Sequence, residues 1–132
     1  MSIIRNLLPC SKMRFRSIAP LLLLPLVASA NPDDRVVSGY YTVGWEEQSF
    51  RPCGGNEGPW WVSNPGPMMV NYRDLVENEW GTIFVTVRAD LTDPGRFGHL
   101  GGYRRSMAVL EVHDARLPSR ERDDCSRVRD TE

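Results

Sequence analysis

The chain carries two histidines and three cysteines. His99 lies in GRFGHLGGYRRS, residues 95–106, where four glycines surround it and Arg104 and Arg105 close the run. A glycine-rich stretch of this kind suits a phosphate cradle, a metal site or a turn between strands. A phosphate loop must lead into a helix whose first N–H groups face the anion. These glycines lead instead into AVLEV, which is strand-like. A metal site needs several donors at workable spacing. His113, Asp93, Glu111 and Asp114 are the candidates near His99 in sequence, and no HxxxH or CxxC pair occurs. The remaining reading is a loop in which Gly95, Gly98, Gly101 and Gly102 permit positive φ. Phe97, Leu100 and Tyr103 are expected to pack back onto the fold. If the loop binds anything, His99, Tyr103, Arg104 and Arg105 are the residues placed to meet an anionic or aromatic partner.

The other chemistry-bearing stretch is PWWVS, residues 59–63. Neighbours on a strand point to opposite faces, so one of Trp60 and Trp61 is expected in the core and the other available for stacking. Catalytic constellations are weaker. No serine sits in a G-x-S-x-G elbow. Glu46 and Glu47 occupy consecutive strand positions in this reading and point apart, unlike a general acid and base pair. No catalytic residue, resident metal or cofactor is expected.

The elements that must position these residues begin after a leader. Residues 1–30 combine Arg5, Lys12, Arg14 and Arg16 with the apolar run IAPLLLLPLV and an A-S-A end. That is the pattern of a secretory signal peptide, and Met13 is an alternative start. The run is too short to span a bilayer. The mature part, 31–132, holds twelve arginines, no lysine and all seventeen acids, a net charge of −5. A negative domain is a poor nucleic-acid binder. With Cys10 removed, Cys53 and Cys125 remain, and an even count in an exported chain implies one disulfide. The expected location is periplasmic or secreted, and the expected state a monomer without a membrane span.

Period-two alternation marks a long strand over about 36–50, with Gly39 and Gly44 as bend sites. A short strand follows at Trp60–Trp61. NYRDLVENEWG predicts the single helix, with Asn71 as N-cap, Tyr72, Leu75, Val76 and Trp80 on one face, and Gly81 as its end. TIFVTVRADL is a clear strand with Ile83, Val85, Val87, Ala89 and Leu91 facing inward. The last strand covers about 105–114, and a charged tail, including Asp123 and Asp124, follows in solvent. One short helix among β-strands in a hundred-residue domain predicts a mainly β fold, a small, partly open five-stranded barrel of OB type. A β-sandwich is the alternative, but it calls for about seven strands.

Several fragments occur in an order that resembles small uncharacterised bacterial envelope proteins: G-Y-Y at 39–41, E-x-x-S-F-x-x-C ending at Cys53, P-W-W at 59–61, F-V-T-V-R-A at 84–89, G-H-L-G-G-Y-R-R and V-L-E-V-x-x-A-R. More distantly they resemble the OB-like C-terminal domain of the NlpE lipoproteins of copper homeostasis and envelope-stress signalling. Phe50 and Cys53 fall on that domain's F-x-x-C, and 82–89 on its later strand. This chain has neither a lipid-attachment cysteine after Ala30 nor a separate CxxC domain, so a copper role does not carry over. The resemblance implies an OB-like barrel and an envelope setting. The expected function is a non-enzymatic exported binding or interaction module of the bacterial envelope. Its partner would be an envelope protein or a small ligand. A periplasmic metal-binding protein for copper or zinc is the alternative, and a small hydrolase comes third.

Overall fold

The computed structural model describes residues 34–120 and 123–129. The expected signal peptide, 1–30, lies outside the described residues. Five strands and two helices follow in the order β1 (Asp34–Gly44), β2 (Glu47–Pro52), β3 (Trp60–Asn64), α1 (Met68–Leu75), β4 (Gly81–Leu91), β5 (Ser106–Arg116) and α2 (Asp124–Arg129). The strands pair in the order β1-β2-β3-β5-β4, and β4 pairs back onto β1 to complete a ring. All pairings are antiparallel except β3 with β5. A five-stranded ring with a short helix between β3 and β4 is the OB-type architecture expected from the sequence.

β4 explains most of the core. Its alternation sends Ile83, Val85, Val87, Ala89 and Leu91 into the ring, all buried. Tyr41, Phe50, Trp60, Val62, Met107 and Val109 meet them from the other strands. α1 contributes Met68 and Tyr72, and the Tyr72 ring stands edge-on to Tyr41 at 5.6 Å. On the outer face of the β1–β4 pair, directly opposed hydroxyls bond across the strands, Ser38 to Thr86 at 2.7 Å and Thr42 to Thr82 at 2.9 Å. Such cross-strand pairs help to fix register.

The expected long first strand is two strands. Gly44 pairs with Glu47, leaving Trp45 and Glu46 as a two-residue hairpin tip. Glu46 takes φ = 52°, the conformation usually given to glycine or asparagine. The local cost is of order 1–3 kcal/mol. Trp45 therefore does not continue the inward row with Tyr41 and Val43; it is 80% exposed. Gly39 lies where β1 and β2 crowd together, since a Cβ there would sit 2.2 Å from the Arg51 carbonyl oxygen. No side chain other than hydrogen fits.

The helix is also displaced from its expected place. It starts at Met68, three residues before the expected cap Asn71, and ends at Leu75. Pro67 opens it with φ = −64° and ψ = −21°, already helical. Proline suits this position because its φ is preset and its missing N–H would have no helical partner. Val76 turns extended, so Trp80 lies beyond the helix and is exposed. Gly81 begins β4 rather than ending the helix.

The charged tail is not solvated throughout. Cys125 is joined to Cys53 by a disulfide, which seats α2 beside β1. Asp124, expected in solvent, is buried and receives three donors. They are Arg116 Nη1, the Ser119 N–H at 3.0 Å and the Tyr40 hydroxyl at 3.2 Å. Arg116 also lies over the Phe84 ring at 4.7 Å, and Tyr40 meets Phe84 edge-on at 5.2 Å. Burial raises the Asp124 carboxyl, but hydrogen bonds from Arg116 and Ser119 outweigh it and hold the group below its ordinary value. Among the described residues no helix is long and apolar enough to cross a membrane.

Candidate ligand-binding face

Trp60 and Trp61 part as alternation requires. Trp60 is buried and stacks on Phe50 at 5.7 Å, so it belongs to the core. Trp61 points outward, opposite Ser49 of β2, and is half-buried under the loop that joins β4 to β5. That loop is ordered by a ladder of its own. Thr92 N–H donates to the Ser106 carbonyl, Gly95 N–H to the Arg104 carbonyl, and Phe97 and Tyr103 exchange both backbone bonds. Its tip turns over Gly98 and Gly101, with φ of 80° and 66°, while Gly95 and Gly102 do not use positive φ. Tyr103 lies 5.5 Å from Trp61, across Gly98. A Cβ on Gly98 would come within 2.6 Å of the Tyr103 ring and 3.2 Å of Trp61, so this tilted ring pair requires glycine there.

Of the three apolar loop residues expected to pack back, Phe97 and Tyr103 are half-buried and do so. Leu100 does not; it is 85% exposed at the tip beside His99. This tip reaches the β1–β2 hairpin tip. His99 Nε2 lies 3.8 Å from Glu46 Oε2. Beyond Glu46, Trp45 meets Trp80 edge-to-face at 6.5 Å.

Two open grooves flank the Glu46–His99 contact, and both residues line each of them. The first, about 400 Å³, runs along Glu47, Gln48, Trp61 and Trp80. The second, about 460 Å³, runs along Trp45, Pro59, Leu100 and Tyr103. Both lie within the size range of small-ligand sites. Their polar groups are partly committed. Glu47 Oε1 accepts from Ser49 at 2.7 Å, and Gln48 Oε1 from the Tyr41 hydroxyl at 3.2 Å. Glu47 Oε2 and the Gln48 amide nitrogen carry further capacity. Burial, and then the Glu47 charge, push the Tyr103 phenol above its ordinary value, so it remains a donor at neutral pH.

The other sequence-predicted residues divide. Arg104 is exposed, outside both grooves. Arg105 grips both oxygens of Glu57, at 2.7 and 3.1 Å, and donates to the Thr92 carbonyl at 3.0 Å. It ties the β2–β3 loop to the β4–β5 loop. The hydrogen bond from Arg105 is the main cause that holds the Glu57 carboxyl below its ordinary value. His113 sits on β5 with Nε2 3.7 Å from Glu111, so the two histidines keep separate carboxylate neighbours. Among the described residues no three His, Cys, Asp or Glu side chains gather as metal ligands would. The hydroxyls of Ser38, Ser49 and Ser63 bond to Thr86, Glu47 and the Met107 carbonyl rather than to an imidazole.

Sequence reasoning missed Trp45, Glu46, Trp80 and the outward Leu100. One signal was present: G-W-E-E places a glycine and two acids around an aromatic, a composition at home in a hairpin tip.

The fold and this face together define a small OB-type barrel whose aromatic surface lies between its β1–β2 and β4–β5 loops. No family model, curated protein or solved structure matches the chain.

Proposed function

We propose that this protein is an exported, non-enzymatic binding module of the bacterial envelope, holding its partner on the face between the β1–β2 and β4–β5 loops. One observation carries the reading. Trp45, Trp80 and Leu100 are exposed around two grooves floored by Trp61 and Tyr103. Barrels of this type use this surface, the β2–β3 face with these two loops, to hold chain-like ligands. Clustered exposed aromatics mark a site rather than a scaffold. The envelope setting rests on the leader-like 1–30 segment, the disulfide and the resemblance to NlpE-type domains. For the metal-binding alternative the described residues offer two separate histidine–carboxylate contacts, His99–Glu46 and His113–Glu111, and no third ligand at either.

The test is a titration of the ¹⁵N-labelled, disulfide-intact protein with soluble envelope extract, followed by amide shifts. Shifts at 44–47, 61 and 97–103 are expected, and are lost in a Trp45→Ala/Trp80→Ala variant. Shifts confined to the opposite pole, around Tyr40 and Asp124, would overturn the assignment of the face.

A further inference from the structure

The two grooves differ from an apolar protein-docking patch in three respects. Each pairs one exposed ring with one half-buried ring: Trp80 with Trp61, and Trp45 with Tyr103. The rings are therefore divided between two adjoining grooves instead of converging on one point, as a cage for a quaternary ammonium would. Trp45 and Trp80 stand at 79° to each other, each serving its own groove. The junction between the grooves is polar, made by Glu46 and His99 with Glu47 and Gln48 beside them.

The charge of the face narrows the ligand. No arginine lines either groove among the described residues, and Arg105 is engaged by Glu57. Glu46 and Glu47 would repel a phosphate or a nucleic-acid backbone. Carboxylates with open lone pairs accept hydroxyl protons, and an amide NH₂ donates to hydroxyl oxygens. A ligand that offers flat faces and many hydroxyls matches both features. The C–H bonds on one face of a pyranose form an apolar, slightly positive plate that complements the negative face of an indole or phenol.

We infer that the paired grooves bind an uncharged glycan chain, its sugar rings stacked on Trp80 and Trp45 and its hydroxyls held by Glu46, Glu47 and Gln48. The inference rests on the reading that this is the binding face. Trp61 and Tyr103 floor the grooves, and His99 sits where consecutive sugars would cross from one groove to the other. A single sugar fills one groove only, so affinity should rise with chain length until both are engaged.

The probes are cellohexaose and the hexamer of N-acetylglucosamine, with the corresponding monosaccharides and a proline-rich decapeptide for comparison. Tryptophan fluorescence and ¹⁵N amide shifts provide the readout. A neutral hexamer is expected to move amides at 44–47 and 97–103 saturably, with the monosaccharides at least about tenfold weaker. Trp45→Ala and Trp80→Ala, both at exposed positions, should each weaken hexamer binding about tenfold, equivalent to about 1.4 kcal/mol. Glu46→Gln should weaken it less, since an amide oxygen still accepts. If neither hexamer moves these amides at millimolar concentration while the peptide or envelope extract does, the glycan assignment falls and the face stands. If nothing moves them and extract acts elsewhere, both fall.

Discussion

Asp124→Ala removes the carboxylate that joins α2 to the barrel, and its effect can be worked from the structure. Three donors lose their acceptor: Arg116 Nη1, the Ser119 N–H and the Tyr40 hydroxyl. Removing one partner of a buried ion pair costs about 3–5 kcal/mol. The Arg116 side chain is 30% exposed, so it regains water, and the Tyr40 bond at 3.2 Å is long. The expected loss is therefore smaller, about 2–3 kcal/mol, the scale of one net hydrogen bond to a charged group, about 1.5–3 kcal/mol. In a domain of this size that lowers Tm by about 10–20 °C. Asp124→Asn keeps an acceptor and should lose about half as much. The pH dependence fixes the sign. The folded carboxyl is held below its ordinary value. Its contribution is then complete above the unfolded carboxyl pKa, about 3.9. It disappears as pH falls through the lower folded value. The Tm gap between the wild type and Asp124→Asn should hold steady from pH 7 to 5 and shrink below about pH 4. Calorimetry across that range measures the gap, and hydrogen exchange at the Ser119 amide reports the local bond. An Asp124→Ala protein melting within about 3 °C of wild type, on a scale of 4–8 °C per kcal/mol, would refute the reasoning. So would a gap that widens on acidification.

Gly98→Ala should displace Tyr103 from Trp61 and strain the loop, at a cost of about 1–3 kcal/mol; near-UV circular dichroism should lose signal from the pair while far-UV stays unchanged. Replacing Cys53 and Cys125 with alanine opens a link across 72 residues. In the chain-entropy model this costs about 4 kcal/mol. Denaturant unfolding should show it, with exchange protection lost first at Ser119 and Tyr40.

Much of the barrel was legible because β4 is regular: five inward residues alternate without interruption, and β1 pairs with it in unbroken register, whereas β5 shifts register against it twice. The hidden part was the first hairpin. The G-W-E-E composition is the one local cue to a turn at Gly44–Glu47, and it is a weak one because Glu46 occupies a positive-φ position without being glycine. Trp45, in step with Tyr41 and Val43 along a continuous strand, leaves their row at the hairpin tip. The helix boundary slipped because proline ordinarily interrupts a helix, whereas Pro67 initiates α1. Trp80, counted on the helical face, belongs to the connection into β4. Asp124 was out of reach for a different reason. One of its partners, Tyr40, lies 84 residues away, and only the folded ring brings them together. At the candidate site, Trp61, His99 and Tyr103, singled out by residue type and loop context, line the grooves. Arg105 was foreseen as a binding residue and is found holding two loops together.

The pairing of β4 back onto β1 has a consequence for how this protein can be recognised. Strands that complete a ring satisfy one another's backbone groups, and a ring offers no long open edge on which another chain could extend the sheet. Selection on this surface therefore falls to side chains at the rim, where residues at the hairpin tip can be exchanged without disturbing the strand ladder. A ring of this kind also resists templating its own copies into fibres, which suits a protein that leaves Trp45 and Trp80 exposed.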